Sequence, residues 1–304
     1  MKNSIYHKFL EEITPGYFVR IGENRDVNIY IGRDEQANYA IDFRGIYKPI
    51  RVVGSNVIEV SQFAIDDTQF LRFSLLNSDL LECFSVFCED LVSSTIGIKD
   101  DSTAYKQVQT RYMTWKRMFK PHKGGLSESE VMGLIGELLF FRDTVIPKYG
   151  IDAALESWTG PERTHKDFSL HDVWYEIKTI NAGKESVRIS SLEQLDSDIS
   201  GYLVVYSLEK MSAEFNGIKL GDLVTEILAE IAIPIQRDLF FAKLELYGFD
   251  FSPEYVNYVY VLSGVVKYIV EEGFPRLVRR DIPLSVSHIQ YDIALAEIED
   301  YKVD

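Results

Sequence analysis

The pattern of hydrophobic and polar residues along the first third of the chain predicts a β-rich region that ends in a helix. Short runs of alternating or apolar residues, separated by turn residues, are typical of strands. They lie near residues 17–21, 27–31, 50–53, 57–60 and 71–76. From about Asp79 to Ser94, apolar residues recur at helical spacing. We therefore expect an N-terminal domain over residues 1–100.

The rest of the chain alternates between helical and strand-like segments. A helix is predicted over 104–119, and a second helix opens with a capping box at Ser127 and Glu130. Strand patterns follow near 167–179 and 202–206, and helices near 220–231 and 235–247. We expect an α/β (α+β) fold with a mixed core over 101–235. Residues 236–304 are predicted to form a helix and a long β-hairpin that packs on the rest.

The segment from Lys166 to Thr179 carries the most informative polar residues. Two β-prone runs flank His171 and Asp172, which would form a two-residue turn. Counting outward from that turn places Asp167 opposite Glu176, and the period of two places Lys178 on the same face. Two opposed carboxylates repel each other, and a hard cation such as Mg²⁺ would relieve that repulsion. The alternative is an exposed hairpin with an ordinary ion pair, and Asp172 is the second choice of acidic ligand.

Glu137 is a second unusual acidic residue. It is the only charge between Glu130 and Arg142, on a helix that is apolar nearly all round. A carboxylate in such a position should be at least partly buried, and it must find a cation or hydrogen bonds elsewhere in the fold. Membership of a functional site and a structural salt bridge both remain open for it.

Together these residues resemble the PD-(D/E)XK nuclease superfamily. That pattern is a glutamate on a leading helix, an acidic residue on one strand and (D/E)-x-K on the next, and here it matches Glu137, Asp167 and Glu176-Ile177-Lys178. The segments Gly-Glu-Leu-Leu-Phe-Phe, His-Lys-Asp-Phe-Ser-Leu and Trp-Tyr-Glu-Ile-Lys-Thr are similar to a bacterial family of PD-(D/E)XK restriction-endonuclease-like proteins. The similarity covers most of the chain. Lys166 stands where many superfamily members have proline.

The resemblance implies a restriction-endonuclease-like central mixed sheet flanked by helices, and hydrolysis of phosphodiester bonds in DNA. It also implies Mg²⁺, with Mn²⁺ as a substitute, held by Glu137, Asp167 and Glu176, with Lys178 beside the nucleophile. The expected setting is restriction-modification or phage defence, with a DNA methyltransferase, another defence protein or a second copy of the chain as partner. The alternative is a non-cleaving DNA- or protein-binding subunit of a multi-component defence complex.

The distribution of charged residues along the chain indicates where DNA contact is expected. A net charge of −15, from 47 acidic and 32 basic residues, argues against a general nucleic-acid-coating protein. No acidic residue occurs between Asp101 and Glu128, and that segment contains six basic ones. We expect phosphate contacts there, the alternative being an amphipathic packing helix with a solvated basic face. The six are Lys106, Arg111, Lys116, Arg117, Lys120 and Lys123.

Three further features complete the predictions. Gln194 resembles a substrate-contacting position downstream of the family's lysine, although a helix-capping or surface role is equally open. Cys83 and Cys88 are too few for a disulfide framework and lack the partners of a zinc site. The N-terminus does not resemble a signal peptide, and no apolar run is long enough for a membrane span. We therefore expect a reduced, cytoplasmic protein without a membrane partner.

Overall fold

A computed structural model describes residues 4–22, 26–119, 125–162, 164–251, 255 and 257–303. Helices alternate with strands in mixed and antiparallel sheets, which confirms the predicted α/β class. The chain forms two compact units, Met1–Lys123 with Leu228–Asp238, and Gly124–Ile227 with Leu239–Asp304. Every described helix is too short or too polar to cross a lipid bilayer.

The first unit contains a five-stranded antiparallel sheet. Its strands are β1 (Phe18–Ile21), β2 (Asn28–Arg33), β3 (Tyr39–Gly45), β4 (Ile58–Ile65) and β5 (Thr68–Leu75). They lie in the order β1-β2-β3-β5-β4. The unit also contains three helices, α1 (Ser4–Leu10), α2 (Leu81–Ser94) and α3 (Asp101–Met118).

An aromatic core joins this sheet to its helices. The ring of Phe73 in β5 lies 5.6 Å from that of Phe87 in α2 and 4.6 Å from that of Tyr112 in α3. All three rings are essentially buried. The alternation that predicts β5 places Phe73 on the sheet face that packs against Phe87 and Tyr112 of the helices, where the three rings exclude water.

Two details of this unit differ from the prediction. β3 was not predicted, because Asp42 and Arg44 interrupt its apolar residues in the sequence; Asp42 is nevertheless fully buried. Its carboxylate lies 2.7 Å from Arg72 and 3.0 Å from Arg44, which compensates its charge.

The strand predicted at residues 50–53 is wrong. That segment is a loop, and the side chain of Gln62 accepts the backbone N–H of Val52 at 2.8 Å.

A second buried carboxylate, that of Asp90 in α2, binds cationic side chains from distant parts of the first unit. One oxygen accepts from Arg111 Nε at 2.8 Å and from Trp115 Nε1 at 2.9 Å. The other accepts from Arg237 Nη1 at 2.8 Å. Arg111 also binds Asp238 at 2.8 Å. The network therefore fixes α3 and the segment around residue 237 against α2.

We expect Asp90→Asn to lower the free energy of unfolding by about 3–5 kcal/mol, because it leaves buried guanidinium groups without their counter-charge. Urea denaturation followed by circular dichroism would measure this loss. Asp292→Asn is the matched control, since Asp292 pairs with Arg188 at an exposed site, and it should leave the midpoint unchanged. Equal midpoints for Asp90→Asn and the wild type would contradict a stabilising role of the network.

The second unit is built on a mixed sheet. Its strands are β6 (Phe168–Ser169), β7 (Trp174–Asn181), β9 (Gly201–Met211), β10 (Val259–Val270) and β12 (Lys302–Val303), in the order β12-β10-β9-β7-β6. β7 and β9 are parallel, and the remaining pairs are antiparallel. A separate two-stranded sheet joins β8 (Ser186–Ile189) to β11 (Tyr291–Ala294).

This pairing corrects the predicted C-terminal hairpin. β10 pairs with β9 and β12, whereas β11 pairs with β8. The strand patterns predicted at residues 255–270 and 288–296 contain β10 and β11, which are shorter. Their partners were wrong, because alternation predicts a strand but carries no information about its neighbour.

Helix α4 (Glu128–Phe140) packs on the strand that carries the candidate residues. The ring of Phe140 lies 4.8 Å from that of Tyr175 in β7. The predicted capping box is present, with Ser127 and Glu130 each bonding the other's backbone N–H. Four further helices follow, α5 (Ile146–Tyr149), α6 (Ile151–Ser157), α7 (Leu220–Glu230) and α8 (Pro234–Tyr247).

Candidate active site

The β6–β7 hairpin has the register that the sequence predicts. Phe168 pairs with Tyr175 and Ser169 with Trp174. The N–H of Leu170 donates to the carbonyl of Val173 at 2.9 Å, which closes the turn. Asp172 therefore lies exposed in the turn.

Asp167 lies one residue before this ladder, beside β7. Its Oδ2 atom accepts the backbone N–H of Ile177 at 2.7 Å. Its backbone carbonyl accepts from the N–H groups of Thr159 and Gly160, at 2.8 and 3.0 Å. These bonds fix Asp167 next to Glu176, the neighbour that the register predicts.

Glu137 reaches the same place from α4. It is 7% exposed, and its Oε2 atom accepts from the indole N–H of Trp158 at 2.7 Å. A Cβ atom on Gly160 would lie 2.5 Å from Glu137 Oε2 and 3.2 Å from Asp167 Oδ1. The two carboxylates therefore converge on the space that a glycine leaves open.

Glu176 and Lys178 complete the cluster from β7. Glu176 is 1% exposed, and its Oε1 atom lies 2.9 Å from Lys178 Nζ. Neither oxygen of Glu176 has a hydrogen bond of normal geometry, so the short contact is an ion pair of poor alignment. Lys178 Nζ also donates to Gln194 Oε1 at 3.1 Å. The structure thus brings together Glu137, Asp167, Glu176 and Lys178.

Comparison with known proteins identifies the family. Residues 7–296 match the model of the DUF4420 family, described as "Putative PD-(D/E)XK family member". The chain belongs to the DUF4420 family. Searches of curated proteins and of solved structures found no match. The family's relation to PD-(D/E)XK proteins confirms the superfamily resemblance and indicates a nuclease-like function.

The electrostatics of this DUF4420 site are unfavourable for three free carboxylates. Burial raises the pKa of Glu137 well above its usual value, and the charge of Asp167 adds to the shift. Burial and Asp167 also raise the pKa of Glu176 to about 8, against the opposing charge of Lys178. Burial raises the pKa of Asp167 as well, and Lys178 offsets part of that shift. The ammonium group of Lys178 does not balance two buried acids and a third, Asp167, that is half-buried.

The donor atoms of the DUF4420 site fit a divalent cation in their chemistry. Carboxylate oxygens are the ligands that hard cations prefer, and both oxygens of Glu176 are buried without normal hydrogen bonds. Within the described ranges, however, no three His, Cys, Asp or Glu side chains form a ligand cluster. Glu176 pairs with Lys178 instead. A complete ligand set would therefore require rotation of these side chains.

The predicted DNA contacts on α3 are only partly available. The phosphate contact predicted for Arg111 is wrong. Arg111 is 4% exposed and its guanidinium group binds Asp90 and Asp238, so it is not free to bind phosphate. Lys116 Nζ donates to the carbonyl of Val53 at 2.6 Å. Two of the six basic residues, Lys106 and Arg117, are exposed. Lys120 and Lys123 lie outside the described residues.

Two residues of the site, Trp158 and Gly160, carry no signal in the sequence, because neither residue type marks a carboxylate partner. Gln194 was predicted to touch DNA, but its Oε1 atom accepts from Lys178 and from the N–H of Ser190 at 2.7 Å. Its contacts follow from a turn that folds back onto β7.

Gly160→Ala should test the close approach of Glu137 and Asp167. The added Cβ would lie 2.5 Å from a carboxylate oxygen, and such overpacking costs about 1–3 kcal/mol. Gly264→Ala is the control, since a Cβ there meets nothing within 4 Å. Thermal unfolding should show a lower midpoint for Gly160→Ala alone. Equal midpoints would show that the carboxylates are not packed around Gly160.

Proposed function

We propose that this protein is a Mg²⁺-dependent DNA endonuclease of the PD-(D/E)XK kind that hydrolyses phosphodiester bonds. The observation that carries the proposal is the convergence of Glu137, Asp167 and Glu176 around Lys178. Membership of the DUF4420 family supports it. We further propose a cytoplasmic role in restriction-modification or phage defence, with a DNA methyltransferase, another defence protein or a second copy of the chain as partner; the resemblance alone supports that setting.

In this proposal Glu137, Asp167 and Glu176 would hold Mg²⁺, or Mn²⁺ in its place. The ion would supply Lewis-acid stabilisation of the negative charge that develops on the phosphate. The surrounding residues orient its ligands. The indole of Trp158 fixes one oxygen of Glu137, and the N–H of Ile177 fixes one oxygen of Asp167.

Lys178 would act directly on the reacting groups. An ammonium group has three N–H donors. The described contacts of Lys178 Nζ are an ion pair with Glu176 and a hydrogen bond to Gln194, so at least one N–H donor remains for the attacking water or a phosphate oxygen. Burial opposes the charge of Lys178, but the nearby Glu176 and Asp167 carboxylates outweigh burial and raise its pKa. Lys178 therefore stays charged at neutral pH and can stabilise negative charge in the transition state.

The acidity of the chain limits how DNA would bind. A net charge of −15 repels phosphate at long range. Contact must therefore be local, and exposed basic side chains such as Lys106 and Arg117 are candidates for it. We propose that binding is strongly salt-sensitive and depends on a divalent cation.

Cleavage of supercoiled plasmid DNA in Mg²⁺ is the direct test. Removing a group that stabilises charge in the transition state costs about 100-fold or more in rate, so we expect that loss for Asp167→Asn, Glu176→Gln and Lys178→Met. Asp172→Asn is the matched control, because Asp172 is an exposed acid of the same hairpin. It should cleave like the wild type. Cleavage by Lys178→Met at the wild-type rate would refute the assignment of the site.

Metal binding has a readout that needs no DNA. A ligand that binds only the folded state stabilises it by about 2.7 kcal/mol at about 100 times its Kd. We therefore expect Mg²⁺ to raise the Tm of the wild type and of Asp172→Asn, and to leave the Tm of Glu176→Gln nearly unchanged. The same Mg²⁺ response in all three proteins would show that the ion binds elsewhere.

DNA binding without cleavage in either Mg²⁺ or Mn²⁺ would contradict the endonuclease proposal. It would favour instead the non-cleaving subunit of a multi-component complex. Gel-shift measurements at several salt concentrations, alongside the plasmid assay, would distinguish these two outcomes.

A further inference from the structure

A short turn beside Lys178 has an unusual pattern of backbone hydrogen bonds. The turn contains a single 3₁₀ segment, Leu192–Gln194, and continues to Ser197. All five carbonyl groups of residues 193–197 accept hydrogen bonds from two cationic side chains, Lys166 and Arg276. Carbonyl groups that point in one direction create a local negative potential, which a cation stabilises.

Lys166 supplies three of these bonds. Its Nζ atom lies 2.6 Å from the carbonyl of Glu193, 2.8 Å from that of Gln194 and 3.2 Å from that of Asp196. The ammonium group also lies 3.9 Å from the centre of the Trp174 ring, within cation–π distance. A lysine has three N–H donors, and all three have acceptors here.

Arg276 binds the same turn from another part of the second unit. Its Nη1 atom donates to the carbonyl of Leu195 in a very short contact, and its Nη2 atom donates to that of Ser197 at 3.3 Å. The N–H of Arg279 adds a bond to the Asp196 side chain at 2.9 Å. The turn is therefore held by contacts far away in the sequence.

One side chain of this turn, that of Gln194, reaches the candidate active site. Gln194 Oε1 accepts from Lys178 Nζ at 3.1 Å and from the N–H of Ser190 at 2.7 Å. Lys166 also directly precedes Asp167 in the chain. It therefore connects the strand end that carries Asp167 to the turn that orients Lys178.

We infer that Lys166 and Arg276 form a two-cation clamp that holds Gln194 against Lys178. Both are positioning residues, since neither touches the reacting atoms. This inference rests on the proposed nuclease function for its catalytic consequence. A direct phosphate contact by Lys166 is the competing role, and its occupied donors argue against it.

Lys166→Met removes the three donors and keeps the length of the side chain. We expect kcat for cleavage of a DNA duplex to fall about 10–100-fold, the usual cost of losing a group that orients a site residue. KM should change little, because Lys166 does not bind DNA. Lys166→Arg should recover part of the loss. Lys148→Met is the matched control: Lys148 is exposed and lies 4.9 Å from the Tyr149 ring centre, and its loss should leave both constants unchanged.

Hydrogen–deuterium exchange tests the clamp without any activity. The N–H groups of Leu195 and Asp196 bond to the carbonyl of Leu192 at 3.1 and 2.9 Å. Loss of charged hydrogen bonds to the turn should speed their exchange about tenfold or more in Lys166→Met and in Arg276→Met. Exchange in Lys148→Met should match the wild type.

Unchanged exchange at residues 195 and 196 in Lys166→Met would overturn the clamp. A raised KM with unchanged kcat would also overturn it, since that result indicates a phosphate contact. A wild-type protein without cleavage activity would refute the proposed function instead. In that case faster exchange would support the clamp as a structural device and unchanged exchange would refute it.

Discussion

The close approach of three carboxylates, two of them buried, beside Lys178 is the constraint on which the second unit depends. Glu176 and Lys178 lie two residues apart on β7, so their side chains share one sheet face. Asp167, the residue before β6, and Glu137 of α4 reach the same face. The tight approach requires Gly160, and one N–H donor fixes an oxygen of each of these two acids. The local fold serves to hold like charges together.

The first unit shows how the same chain treats buried acids that serve only stability. Asp90 forms ion pairs with two arginines and accepts a hydrogen bond from an indole, and Asp42 forms ion pairs with two arginines. Glu176 forms one ion pair with a lysine, in poor alignment. Buried acids without matched counter-charges are costly, and such groups concentrate at functional sites. The contrast with Asp90 and Asp42 supports the binding role proposed for Glu137, Asp167 and Glu176.

Long-range pairing decided the role of Arg111 and the contacts of Gln194. Arg111 lies in a basic segment that suggests phosphate binding, but Asp90 and Asp238 occupy it from 21 and 127 positions away. Gln194 was expected to contact DNA, with a helix-capping or surface role as the alternative. In the structure its carbonyl binds Lys166 and its side chain binds Lys178. No local pattern contains those partners.

The sequence by itself determined the α/β class, most helices and strands, the capping box and the register of the β6–β7 hairpin. It also determined which acids share the face of Lys178. These features depend on periodicity of two or 3.6 residues and on short turns, which are local properties of a chain. Only the tertiary structure decided the partners of β10 and β11, the approach of Glu137 to Asp167 at Gly160, and the two cations around Gln194. Those contacts join segments distant in sequence, and their energies depend on burial and geometry that no local pattern records.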